Sequence, residues 1–94
     1  MNVRFTRRAA RDLRSIFDYI AQDRPGAATR VVDRIETFVG VLADVPGVGA
    51  VVSRSGTQAC SLPDLPYRIY YRVVRGELQV LQIRHASRRP LRFS

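Results

Sequence analysis

The residues best able to do chemistry gather in the last third of the chain. Arg68 and Arg72 stand an even number of residues apart in the alternating run YRIYYRVV (67–74), which places both on one face of a strand. Arg84, Arg88, Arg89 and Arg92 follow, and no Asp or Glu occurs after Glu77. Guanidinium groups collected in this way can receive the carboxylates of an acidic peptide through charge-assisted hydrogen bonds, with exposed Tyr70 and Leu81 adding apolar grip. They can equally bind RNA phosphates and stabilise the anionic transition state of a cleavage. His85, the one histidine, would then be the proton carrier, because its charge change lies near neutral pH. A solvated surface that only keeps the chain in solution is the plain alternative to both.

Other chemistries find little support. His85 has no second histidine and no cysteine close in sequence, so a zinc site is not expected, and no cofactor is implied. Gly47 and Gly49 precede no helix at the spacing of a phosphate-binding loop. One histidine and no nucleophile elbow argue against a serine triad. The single cysteine, Cys60, rules out an intrachain disulfide and is compatible with a reducing cytoplasm. Met1 leads into a polar, arginine-rich start rather than a signal peptide, and no apolar run approaches the ~20 residues that span a bilayer.

Ninety-four residues make one domain, 1–94, and the 46% hydrophobic content is ordinary for a globular core. The net charge is +8, and all 16 basic residues are arginine. Residues 1–50 carry eight arginines against six acids, whereas residues 51–94 carry eight against two. The cationic surface therefore belongs mostly to the second half, which bears on partners rather than on fold.

The elements that must position these groups follow from periodicity. NVRF (2–5) alternates as a short strand, and Thr6 can cap the helix behind it. Ala9, Leu13, Ile16, Phe17 and Ile20 recur at helical spacing, and Pro25 ends that helix near Gln22. Ala28, Val31, Val32, Ile35, Val39 and Leu42 form a second stripe, closed by DVPGVG (44–49). The two helices make an antiparallel hairpin whose stripes need a sheet to cover them. From Ala50 the chain reads as β: a short edge strand at 50–52, strands at 58–62, 67–74 and 77–85, and a two-residue turn at Arg75-Gly76. The expected fold is α+β, with an N-terminal strand and a helical hairpin packed on a small antiparallel sheet.

That turn pairs Val74 with Glu77, Tyr71 with Val80 and Arg68 with Ile83. Tyr67, Ile69, Tyr71, Val73, Leu78 and Val80 then face the helices. Arg68, Tyr70, Arg72, Leu81, Ile83 and His85 face away. A one-residue slip would exchange the two sets.

The order of pieces resembles the RelE/ParE superfamily of bacterial type II toxins, over nearly the whole chain. FTRRAARDLRSIFDYIAQDRPGAATRVVDRIETFVGVLADVPGVG is similar to the ParE-like helical hairpin in particular. It shares the aromatic-Ile ending of the first helix, the Pro-Ala start of the second and the P-x-x-G exit. The YRI-Y-YRV strand and the I-R-H-x-x-R ending are the superfamily's most recognisable pieces. The resemblance implies a toxin neutralised by a co-transcribed, acidic, ParD-like antitoxin whose C-terminal segment wraps around it, with heterotetramers common. It implies no membrane association.

ParE-like members poison DNA gyrase, whereas RelE-like members cut messenger RNA in the ribosomal A site. Of the cations that RelE-like ribonucleases use, Arg68 and Arg88 match. Their two lysines on the preceding strand are replaced by Ala59 and Ser61, and their terminal tyrosine gives way to Phe93 and Ser94. Arginine stabilises charge but gives up a proton poorly, so only His85 could shuttle protons here. The resemblance thus favours a gyrase poison over a ribosome-dependent endoribonuclease, with an inert partner-binding module as the third reading. Target contact is expected from Arg84, Arg88, Arg89, Arg92 and Phe93. Antitoxin contact is expected from Leu13, Phe17, Arg68, Tyr70, Arg72 and Leu81. In the ribonuclease reading Arg68, Arg88 and His85 are catalytic.

Overall fold

The computed structural model describes residues 1–87. Strand β1 (Asn2–Phe5) leads through Thr6 into helix α1 (Arg7–Ala21). The Thr6 hydroxyl accepts from the Ala9 amide at 3.2 Å, capping the helix, and lies 2.9 Å from the Val80 carbonyl, to which it donates. One side chain thus starts α1 and pins its first turn to the sheet. Helix α2 (Pro25–Asp44) opens with proline in its first turn, where a missing amide hydrogen costs nothing. A 3₁₀ turn at Pro46–Val48 then carries the chain into strands β2 (Ala50–Val51), β3 (Gln58–Ser61), β4 (Tyr67–Val74) and β5 (Glu77–His85).

The five strands form one sheet in the order β1-β5-β4-β3-β2. Strands β2 to β5 are antiparallel, as expected, and β1 adds to the β5 edge in parallel, from Asn2 opposite Glu77 to Phe5 opposite Val80. The helical hairpin lies over one face. Ala9, Ile35, Val39, Leu42 and Ala43 of the helices meet Ile69, Tyr71, Leu78, Val80 and Ile83 of the sheet, and Leu62 joins them. Tyr71 also locks the exit of α2. Its hydroxyl donates to the Pro46 carbonyl at 2.6 Å and accepts from the Gly49 amide at 3.1 Å.

The β4–β5 turn falls at Arg75-Gly76, as the sequence suggests. Both residues have positive φ, 52° and 72°, the geometry whose twist matches a hairpin. The register near the turn also agrees: Val74 opposes Glu77 and Tyr71 opposes Val80.

Beyond that point the expectation fails. Tyr70 opposes Gln82, so Leu81 is an extra residue in β5, a β-bulge. Arg68 therefore pairs with Arg84, not with Ile83. The bulge reverses the parity of the rest of β5. Ile83 turns into the core, 4% exposed, and His85 comes opposite Tyr67 on the helix-side face. Without the bulge Gln82 and Arg84 would point at the helices. Turning Ile83 inward instead contributes about 1.5–3 kcal/mol of burial and spares a charge its desolvation.

Candidate functional site

Three surfaces gather the residues singled out above. The first is the sheet face turned away from the helices. By register it carries Arg68, Tyr70 and Arg72 on β4, Gln79, Gln82 and Arg84 on β5, Ala59 and Ser61 on β3, and Arg4 on β1. Its hairpin end is a hydrogen-bonded chain. Arg72 Nε donates to Gln79 Oε1 at 2.9 Å, Gln79 Nε2 donates to Glu77 Oε1 at 3.0 Å, and Arg4 Nε donates to the same oxygen at 3.0 Å. These bonds, that from Gln79 first, hold the Glu77 carboxyl below its ordinary range.

The opposite end of that face is different. Arg68 and Arg84 are directly opposed across the ladder, with Ser61 completing the row. Arg68 Nη1 and Gln82 Oε1 are buried there without a hydrogen-bond partner. The expectation that Tyr70 offers an exposed apolar grip is overturned. It is 1% exposed, and Leu81 is half-buried at the bulge. Tyr70 sits on the central strand of the sheet, between Ala59 and Gln82.

The second surface is a cavity of about 660 Å³ beside the last residues of β5, where β1 no longer covers the edge. Arg8, Asp12, Tyr19, Tyr67, Arg84 and His85 are among its lining residues. Asp12 joins α1 to this edge. Its Oδ2 accepts from the Ile83 amide at 2.9 Å, and its Oδ1 accepts from Arg8 Nε at 3.2 Å. Tyr67 stands edge-on to His85, with ring centres 5.5 Å apart at 83°. Burial, and then the nearby Tyr19 hydroxyl, push the Tyr67 phenol up.

His85 itself is exposed, and its bonding decides what it can do. Its Nδ1 accepts from the Ser87 amide at 3.1 Å and lies 2.7 Å from the Ser87 hydroxyl. A backbone amide only donates, so Nδ1 is an acceptor and the neutral ring carries its proton on Nε2. The outward nitrogen is then a donor, not the base that RNA cleavage would need from it.

The third surface is a groove of about 550 Å³ on the helical hairpin, lined by Ala10, Leu13, Arg14, Phe17, Asp18 and Val32. Leu13 and Phe17 meet here, both half-buried. The structure thus brings Arg68, Arg72 and Arg84 onto one face, sets His85 apart on the other, and joins Leu13 with Phe17. Arg88, Arg89, Arg92 and Phe93 lie outside the described residues. Sequence reasoning overlooked Asp12 and Gln82. Asp12 sits four residues after Arg8, a helical ion-pair spacing that could have drawn attention to it. Gln82 carries no such signal, because only the bulge turns it outward.

Among the described residues no group of His, Cys, Asp and Glu could hold a metal ion, and no helix is long and apolar enough to cross a membrane. Residues 3–90 match the model of the family described as the ParE toxin of the type II toxin–antitoxin system, parDE. The chain is 43% identical over 84 residues to Y4kP of Sinorhizobium fredii, covering 89% of this chain and 86% of that protein. It is 38% identical over 84 residues to Toxin RelE2 of Caulobacter vibrioides, covering 89% and 93%. Among solved structures, a chain of the chromosomal ParDE system from P. aeruginosa superposes with a TM-score of 0.78 at 30% identity, over 93% of this chain and 97% of that one.

Proposed function

This chain belongs to the ParE toxin family of type II toxin–antitoxin systems, and on that premise we propose that it arrests growth by binding DNA gyrase without catalysing a reaction of its own. The observation that carries the proposal is the bonding of His85. RNA cleavage through the 2′-hydroxyl needs one group to take a proton and another to return it. The chain has no lysine, and Ala59 and Ser61 stand on the strand beside Arg68. His85 Nδ1 is occupied by Ser87. Arg68, Arg72 and Arg84 remain able to bind and unable to shuttle protons.

In this reading an acidic ParD-like antitoxin neutralises the toxin in the cytoplasm. It lies in the Leu13–Phe17 groove and along the cationic sheet face, in a heterotetramer. A net charge of +8 complements such a partner. The arginines that follow His85 are the first candidates for gyrase contact. The name of the RelE2 relative favours the second reading, a ribosome-dependent messenger endoribonuclease.

Parallel assays of the purified protein decide between them. The gyrase reading requires inhibited supercoiling and accumulated cleaved DNA, with translation unaffected and with His85→Ala as potent as the parent. Cleavage of A-site messenger, lost in His85→Ala, would establish the ribonuclease instead. Inactivity in both assays, with no growth arrest on expression, would leave only a partner-binding module.

A further inference from the structure

Helix α1 carries its charges the wrong way round for its own stability. A helix favours acids at its start and bases at its end. The first turn of α1 holds Arg7 and Arg8 and no acid, and Asp18 stands near its end, where the last turn has no base. Two acids offset this in part, Asp12 pairing with Arg8 and Asp18 with Arg14, each one turn on. Arg7 and Arg11 have no such relief. Both are exposed, and among the described residues neither has an ion-pair or hydrogen-bond partner.

The surroundings of these two arginines select a ligand class. Arg7, Arg11, Arg14 and Asp18 follow one line along the helix, and Ser15 lies beside it. All five are exposed, and none is apolar or aromatic. Neither Arg7 nor Arg11 lines the Leu13–Phe17 groove. A protein partner is held chiefly by anchors buried in fitted pockets, and this line offers none. A single nucleic-acid strand is held by bases stacked on aromatic rings, and the line offers none of those either. The backbone of a duplex needs only cations on a firm support. Thr6 provides the support, since its hydroxyl ties the start of α1 to the Val80 carbonyl at 2.9 Å.

We infer that the first two turns of α1 are a contact for the sugar–phosphate backbone of duplex DNA, with Arg7 and Arg11 each on one phosphate. The two residues are separated by about 6 Å along the helix axis, which lets their long side chains take neighbouring phosphates of one strand. Each guanidinium presents a planar fork that matches phosphate oxygens. The phosphates supply the negative charge that the start of α1 lacks. Asp18 limits the contact, because its carboxylate repels the backbone at the other end of the line. Contacts of this kind fix position and read no sequence. The inference goes beyond the gyrase reading, because it gives the toxin a hold on DNA of its own.

The test uses the purified full chain with a fluorescein-labelled 20-base-pair DNA duplex of mixed sequence as probe. Unlabelled single-stranded oligodeoxyadenylate and polyglutamate, matched to it in total charge, are the competitors. Fluorescence anisotropy over a series of salt concentrations reads affinity and its salt dependence. Arg7→Gln and Arg11→Gln are each expected to flatten the plot of log affinity against log salt by about one unit of slope. Arg54→Gln makes the same charge change at an exposed position between β2 and β3, on the sheet edge opposite β1, and should leave the slope unchanged. Thermal melts of the free protein are the second readout. Arg7→Glu should abolish the contact and raise Tm by a few degrees, because the helix start gains the acid it favours.

Equal loss of slope in Arg7→Gln, Arg11→Gln and Arg54→Gln overturns the contact, since it would reflect net charge alone. A lowered Tm in Arg7→Glu with unchanged duplex affinity also overturns it, and makes Arg7 a structural residue. Stronger competition by polyglutamate than by unlabelled duplex assigns the arginines to an acidic protein and refutes DNA. Stronger competition by the single strand refutes the duplex. The titration contains no gyrase, so its outcome is separate from that of the supercoiling assay.

Discussion

Tyr71→Phe removes one oxygen, and the structure indicates what that oxygen does. The hydroxyl crosses from the middle of β4 to the turn that ends α2, where it serves Pro46 and Gly49 at once. The Pro46 carbonyl keeps a second donor in the mutant, Gln58 Nε2 at 2.8 Å, so its loss is small. The Gly49 amide has no such reserve. It lies in a buried hydrogen bond, and an unpaired buried amide costs about 1–3 kcal/mol. With the lost bond to Pro46 the sum is about 2 kcal/mol. In a domain of 94 residues that corresponds to a Tm lower by roughly 8–16 °C. Urea unfolding followed by circular dichroism should show a lower midpoint and an unchanged slope, since the surface exposed on unfolding is the same. A loss below about 0.5 kcal/mol would refute the reasoning, because it would mean that water or a rearranged turn satisfies Gly49. Gly49→Ala is a companion test. A methyl group there would overlap the Tyr71 hydroxyl, so it should destabilise the parent and do less harm in Tyr71→Phe.

Further expectations concern the hairpin, the acids and the helix groove. Arg75 holds a positive φ of 52°, so Arg75→Asn should raise stability by about 0.5–1 kcal/mol in the same urea titration. Hydrogen bonds from Gln79 and Arg4 hold the Glu77 carboxyl below the ordinary carboxylate range, and that from Arg34 does the same for Asp64. Their contribution is therefore complete above the ordinary carboxylate range and is lost as pH falls through the lowered folded values. Tm should stay level from neutral pH towards 5 and decline below, with a shallower decline in Glu77→Gln. Leu13→Asp with Phe17→Asp should release growth arrest from neutralisation in cells that also express the antitoxin, leaving arrest without antitoxin intact.

What the sequence determined by itself is the set of elements and their pairing near the turns. The stripes from Ala9 to Ile20 and from Ala28 to Leu42, Pro25, and Arg75-Gly76 act locally, so they can be read without knowing what packs on them. The cationic face was legible in part for the same reason, since Arg68 and Arg72 share a strand face whatever lies beneath. Tertiary structure decided the rest. LQVLQIRH permits a straight strand that buries Gln82 and Arg84 or a bulged one that buries Ile83, and nothing in the octapeptide chooses between them. The helical layer chooses, because Asp12 claims the Ile83 amide and the core beneath α1 accepts only an apolar side chain. That one extra residue sets Arg84 opposite Arg68 and sends His85 to the helix-side face opposite Tyr67.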